Sequence, residues 1–235
     1  MFWRVPNMWE GGEAWIIGGG PSIPRQFGVP ETVITSVLNG DEPLSVFSPY
    51  FSPIHNKHVI GVNMAYKLGS WVDMMFFGDL GFFLKNRFAL AEYSGVKISC
   101  HHAVNGYEYT SDKIKYLPKH RDKVGGISDR PDRVCWNGNS GAAAVSVAVQ
   151  AGAKRIILLG FDMKRDEAKT HWHREYYPPE TKKGAPSPLT APYHRWATGF
   201  ENIARDAQKM GIEILNANPD SAIPHFKKVT VKELL

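Results

Sequence analysis

Two cysteines in 235 residues, Cys100 and Cys135, are too few for a disulfide framework, and no C-x-x-C spacing marks a metal or redox site, so a reducing cytoplasm is the expected compartment. Long apolar runs are also missing. Nothing approaches the roughly 20 residues needed to cross a bilayer. The N-terminal apolar residues Phe2, Trp3, Met8 and Trp9 are interrupted by Arg4, Pro6, Asn7 and Glu10, which is not the pattern of a secretory leader, and no integral membrane segment is expected. A dense basic stripe is absent too: 28 Lys and Arg are scattered among 23 Asp and Glu. That distribution sets nucleic acid aside as a partner, while a net charge of +5 favours small anionic ligands such as nucleotides. No internal repeat or low-complexity tract is evident.

What the chain does have is 43% hydrophobic residues, enough for a sizeable core, in short blocks that alternate between strand and helix patterns. Strands are expected near 14–18, 58–63, 72–77, 96–100, 155–160 and 212–215. Helices are expected near 64–68, 80–93, 142–151 and 195–210, with a further short one in the tail, 222–235. Residues 19–57 read as a Gly/Pro-punctuated stretch and those up to about 135 as irregular. The alternation predicts one α/β domain over 1–235 with a Rossmann-like, doubly wound, mostly parallel sheet. The segment 163–192 carries Pro178, Pro179, Pro186, Pro188 and Pro192 and is too long for an ordinary connector, so it reads as an irregular lid. Phe82, Phe83 and Phe88 are expected in the core.

The richest stretch is Trp15-Ile16-Ile17-Gly18-Gly19-Gly20-Pro21-Ser22. A short apolar run breaks into three glycines, then a proline suited to a first helical turn. Glycine lets backbone amides approach an anion, and a helix N-terminus attracts negative charge. Contiguous glycines are neither the spaced G-x-G-x-x-G fingerprint nor a Walker A loop, since no Gly-Lys-Ser/Thr follows. A second stretch adds to it. Asn137-Gly138-Asn139-Ser140-Gly141 precedes an Ala/Val helix, and Arg155 to Gly160 reads as a buried strand running into Phe161-Asp162. Ligands of open α/β sheets bind outside the carboxyl ends of the strands, where Gly18 to Ser22, Asn63 and Asp162 would lie.

These motifs, with Tyr193-His194 before a helix and Ile214-Leu215-Asn216-Ala217-Asn218-Pro219-Asp220-Ser221 near the end, resemble the bacterial lipooligosaccharide sialyltransferases and the superfamily around them. That superfamily includes flagellin-modifying glycosyltransferase-like proteins and archaeal-type hydroxymethylpterin pyrophosphokinases. The similarity covers most of the chain beyond residue 12, with 30–57 and 164–190 aligning poorly. It implies a transferase that moves a sugar from a CMP-sugar or similar nucleotide sugar to a saccharide or other small acceptor, with no cofactor required; a homo-oligomer is left open, since the oligomeric state is not written in the sequence. By position, Gly18, Gly19, Gly20, Pro21 and Ser22 would cradle the phosphate and ribose, and Asn63 would face the sugar-phosphate. Asn139, Ser140 and Gly141 would hold the nucleotide or donor sugar, or else Asn139 and Ser140 are plain helix caps.

Asp162 either contacts ribose, substrate or a metal-nucleotide, or caps the following turn. In the pyrophosphokinase alternative, Asp79 and Asp162 would hold Mg²⁺ for diphosphate transfer from ATP. The resemblance makes His194 the general base for the acceptor hydroxyl; the other reading is a histidine that caps the helix or stacks on Tyr193 and Trp196. Lys164 stands where the sialyltransferases place a tyrosine, and would either neutralise a leaving phosphate or lie exposed in a loop. His171 and His173 flank Trp172 on one extended segment, a pair that lacks a third ligand for Zn²⁺ and fits a substrate-facing lid better. A non-catalytic nucleotide-binding accessory protein is the remaining alternative.

Overall fold

The computed structural model describes residues 3–107, 110–123, 125–164, 171–175 and 193–235, except the side chain of Arg195. Most of the expected lid therefore lies outside the described residues. Among the described residues eight strands form one sheet: β1 (Glu13–Ile17), β2 (His58–Val62), β3 (Met74–Phe77), β4 (Val96–Ser99), β5 (Ile114–Tyr116), β6 (Arg155–Leu159), β7 (Glu213–Asn216) and β8 (Lys227–Lys228). Their spatial order is β5-β4-β3-β2-β1-β6-β7-β8. Every pair is parallel.

The chain starts in the middle, walks outward from β1 to β5, then returns to place β6 on the other side of β1. This makes the carboxyl ends of β1 and β6 the topological switch point, where the following loops diverge and leave a crevice. Alternation along the strands sorts the core into two layers. Trp15, Ile17, Val59, Met75, Phe77, Ile157 and Leu159 pack on one face, together with α2 (Glu31–Asn39), α3 (Leu80–Glu92) and a 3-10 segment over Leu44–Ile54. Ala14, Ile16, Ile60, Met74, Phe76, Ile156 and Leu158 point to the opposite face. There they meet α4 (Ser140–Gln150) and α5 (Tyr193–Met210). The buried side chains of α4 are Ala, Val and Ser, small enough for that helix to lie close to the sheet.

Several expectations are revised. The stretch 19–57 holds α1 (Ile23–Gln26), α2 and the 3-10 segment, and the polar region before 135 contributes the edge strand β5. The tail forms β8 and a single 3-10 turn, Val231–Glu233, opened by a Thr230–Glu233 capping box. Residues 64–68 belong to a 3-10 segment, Asn63–Leu68. Phe82 and Phe83 are buried as expected, but Phe88 is 89% exposed. On α3 it falls four residues after Leu84, which is also exposed, so both lie on the solvent side of the helix. Among the described residues no helix is long and apolar enough to cross a membrane.

Candidate active site at the switch point

A crevice of about 770 Å³ opens at the carboxyl ends of β1, β2, β3 and β6. Gly18, Gly19, Asn63, Asp79, Asn139, Ser140 and Gly141 line it, so seven residues singled out from four separate parts of the chain meet in one place. Asn63 and Met163, both in the wall, have left-handed backbones at φ 52° and φ 48°. For a non-glycine residue that conformation costs on the order of 1 kcal/mol and is concentrated at functional sites. Among the described residues the buried Oδ1 of Asn63 has no hydrogen-bond partner, an acceptor left available at the crevice.

The glycine turn works differently from the phosphate cradle expected. Gly18 donates its N–H to the Leu159 carbonyl at 2.8 Å and Gly20 donates to the Gly160 carbonyl at 2.8 Å. Two of the three amides thus close the β1–β6 junction, and among the described residues only Gly19 N–H has no such partner. Space, more than an anion, explains two of the glycines. A Cβ on Gly20 would stand 2.5 Å from Asp162 Cγ, and one on Gly18 would stand 2.9 Å from the Gly160 carbonyl oxygen. At Gly19 the neighbour is the His171 ring, at 2.6 Å.

Asp162 is 4% exposed and lies behind this junction, outside the crevice lining. Its Oδ2 accepts from the Ser22 N–H at 2.9 Å, and its Oδ1 accepts from Ser22 Oγ at 2.6 Å and from Asn218 Nδ2 at 2.7 Å. One carboxylate therefore ties the loops after β1, β6 and β7 together. Gly20, Pro21 and Ser22 lie on this tie and do not line the crevice. α1 after Ser22 is a single short turn of four residues, and Ser22 makes no side-chain cap to it. Asp79 does line the crevice, but with Asp162 engaged by three protein donors the two carboxylates do not form a ready cation site. Among the described residues no group of three His, Cys, Asp or Glu side chains is placed to hold a metal ion.

Asn139 and Ser140 both line the crevice, and Asn139 also caps α4. Asn139 Oδ1 accepts from the Ala142 N–H at 2.8 Å at the start of α4, and its Nδ2 donates to the Trp196 carbonyl at 3.2 Å. Ser140 Oγ accepts from the Gly78 N–H at 3.2 Å, joining α4 to the end of β3. These bonds fix the opening of α4 at the crevice with its N-terminal turn exposed to whatever enters.

Part of the lid segment, 171–175, is seated on the glycine turn. Trp172 is buried and donates its indole N–H to the Gly18 carbonyl at 2.9 Å, while its backbone N–H donates to the Gly19 carbonyl at 3.1 Å. This brings the rings of His171 and His173, 5.2 Å apart, to the crevice wall. Burial pushes His171 down to about 4 and His173 well below the ordinary histidine range, His173 also feeling His171, so both imidazoles are neutral at pH 7. His194 occupies the first turn of α5, is exposed, and is not among the residues lining the crevice; Trp196, two residues on, is. Lys164 follows Met163 and is exposed, outside the lining.

Trp136, Gly138, Gly160, Phe161, Met163 and Trp196 also line the crevice, and none was picked out as a site residue from the sequence. Trp136 had a visible signal in its place before the Asn-Gly-Asn turn. Its position depends on packing: its ring edge lies where a Cβ on Gly78 would sit, 2.2 Å from Cζ3. α5 is brought close by Gly199, whose absent Cβ would stand 2.6 Å from the Asn137 carbonyl oxygen.

No family model matches the chain, and no curated protein matches it in sequence. Solved structures do. The chain is similar to the monofunctional α-2,3-sialyltransferase Cst-I of Campylobacter jejuni, at 14% identity and a TM-score of 0.51, over 94% of this chain and 80% of that one. It is also similar to the MAf glycosyltransferase of Magnetospirillum magneticum AMB-1, at 11% identity and a TM-score of 0.57, over the whole of this chain and 36% of that one. The sialyltransferase CstII of Campylobacter jejuni, in complex with a substrate analogue, cytidine-5'-monophosphate, aligns at 15% identity and a TM-score of 0.48, over 92% and 84%. The chain shares the α/β fold of these glycosyltransferases and corresponds to about a third of the Magnetospirillum protein.

Proposed function

We propose that the switch-point crevice binds a nucleotide sugar and that the protein transfers the sugar to a hydroxyl of a small acceptor. The observation that carries this reading is the crevice itself. It has the size of a small-molecule site, it sits where open α/β sheets bind nucleotides, and Asn63, Gly19 and the opening of α4 converge on it with Trp136 and Trp196 as apolar walls. The fold shared with Cst-I and the MAf glycosyltransferase supports the class of reaction. A cytidine nucleotide is the first donor to consider, on the resemblance noted in the sequence.

In this reading the acceptor oxygen bonds to the anomeric carbon as the bond between sugar and phosphate breaks, and an imidazole takes the hydroxyl proton. His194 is the proposed base, solvent-accessible on the helix that carries Trp196 into the crevice. Gly19 N–H and the amides opening α4 are the donors nearest the leaving phosphate. No metal is assigned a part.

A melting-temperature screen of CMP, CDP, UDP, GDP and ATP tests the premise. At about 100 times its dissociation constant a bound nucleotide adds roughly 2.7 kcal/mol. No stabilisation by any of the five, in folded protein, would remove the nucleotide-sugar reading. With a ligand in hand, His194→Ala should keep its affinity and lower sugar transfer by about 10² to 10⁴. Unchanged transfer would remove His194 as the base.

A further inference from the structure

Beside the crevice, at the carboxyl ends of β4 and β5, lies a second pocket of about 670 Å³. Its wall carries Lys119, Arg121, Arg130 and Arg133 against Asp122 alone, with His101, His102 and His120 around them. Arg130 and Arg133 are engaged by Asp132 at 3.2 and 3.8 Å, and His120 approaches Asp129 at 3.5 Å. Lys119 and Arg121 make no ion pair among the described residues. The floor adds no negative charge, because burial pushes the Cys100 thiol up to about 12 and raises the Tyr116 hydroxyl. His101 is held below its ordinary value by burial first, then by His102 and Lys119.

The linings of the two cavities touch at Lys119 and Trp136. Lys119 Nζ lies 4.0 Å from the centroid of the Trp136 ring, and Trp136 also lines the crevice. A ligand that rests against this indole in the crevice therefore has a cationic pocket one ring-width away. Its scale is that of a neighbouring group on the same small molecule or of a sugar next to the donor.

We propose that this basic pocket binds an acidic saccharide, taking the carboxylate or phosphate of the acceptor while the acceptor hydroxyl reaches past Trp136 into the crevice. The acceptor role rests on the glycosyltransferase reading, whereas binding of the acidic group does not. Lys119 and Arg121 are the primary contacts, since both lack a carboxylate partner among the described residues and a guanidinium matches either anion bidentately. Asp79, whose charge is felt at Cys100 and His101, sits on the crevice side.

Calorimetric titration of the full chain with glucuronate, glucose 6-phosphate and glucose tests this, the two acids distinguishing carboxylate from phosphate. One or both acids should bind at least about tenfold more tightly than glucose, and the Lys119→Ala/Arg121→Ala double variant should lose about tenfold or more of that affinity. Both positions are exposed, so the variant should melt within a few degrees of the parent, and its affinity for any nucleotide identified for the crevice should change less than about twofold. Equal binding of acids and glucose overturns the proposal, as does acid binding that the double variant retains. If acids bind through Lys119 and Arg121 while no nucleotide binds at all, the pocket stands and the glycosyltransferase reading falls. If a nucleotide binds and the acids do not outdo glucose, only the pocket is lost.

Discussion

The carboxyl end of one sheet carries two regions built on opposite plans. At β1 and β6, backbone meets backbone: Gly18 and Gly20 donate to Leu159 and Gly160, and the buried Asp162 gathers Ser22 and Asn218. At β4 and β5, side chains meet solvent: Lys119 and Arg121 are exposed, and their neighbours are held by partly exposed ion pairs. The first arrangement excludes water and tolerates no added atom, which suits a rigid floor for a phosphate-bearing ligand. The second leaves charge unneutralised and geometry soft, which suits an anionic group that comes and goes. Rigidity was achieved by using up the very amides and carboxylate that the sequence offered as ligands.

The contrast breaks most severely at Gly20. A Gly20→Val side chain would overlap Asp162 Cγ and the Gly160 carbonyl, and the β6 backbone cannot retreat without opening the sheet. Overpacking and the loss of the Asp162 bonds together should cost roughly 4 kcal/mol, read as a fall in the urea midpoint. The same change at Gly19 meets the His171 ring, which can swing away, so Gly19→Val should cost clearly less. If the two variants were equally destabilised, the distinction between a locked Gly20 and a crevice-facing Gly19 would be wrong.

A change of pH should act next. His173 is buried and His171 half-buried, and desolvation holds both imidazoles neutral, so their folded-state pKa values lie below those of the unfolded chain. Below pH 6.5 the unfolded state takes up protons that the folded state refuses. Stability present at neutral pH is then lost progressively as the pH falls towards about 4. The loss should be on the order of 2 kcal/mol, limited because 171–175 can lift from the glycine turn instead of forcing global unfolding. Comparing melting temperature against pH for the parent and His171→Asn should show a shallower acid slope in the variant. Parallel curves would mean that this ring is not the group refusing the proton.

The smallest effect belongs to the open side. Lys119→Ala removes a cation from the face of Trp136 at an exposed position and should cost no more than about 1 kcal/mol of stability in a urea titration. A larger cost would show that the basic pocket is as structurally committed as the β1–β6 junction.

The sequence by itself determined a doubly wound, mostly parallel sheet and most of its elements, because doubly buried strands such as Ile156 to Leu159 and the small-residue helix after Asn139 are local patterns of apolar and turn residues; that every pair is parallel was decided by the fold. It also marked the strand ends that would meet, since their position follows from topology. It did not reveal α2, whose Pro30 start sits inside a proline- and glycine-studded stretch, nor β5, three residues long, nor the exposure of Phe88, because element boundaries and helix facing depend on partners elsewhere in the chain. Which polar groups would be free was likewise decided only in three dimensions. Ser22 and Asp162 are 140 positions apart, and Gly20 and Gly160 equally so, yet their mutual bonds satisfy donors and acceptors that each motif, read alone, presented as available. Trp136 acquired its place between two cavities in the same way, through Gly78 on one side and Lys119 on the other. Hydrogen-bond valence and excluded volume are shared across the folded chain, and a linear motif does not show what has already been shared.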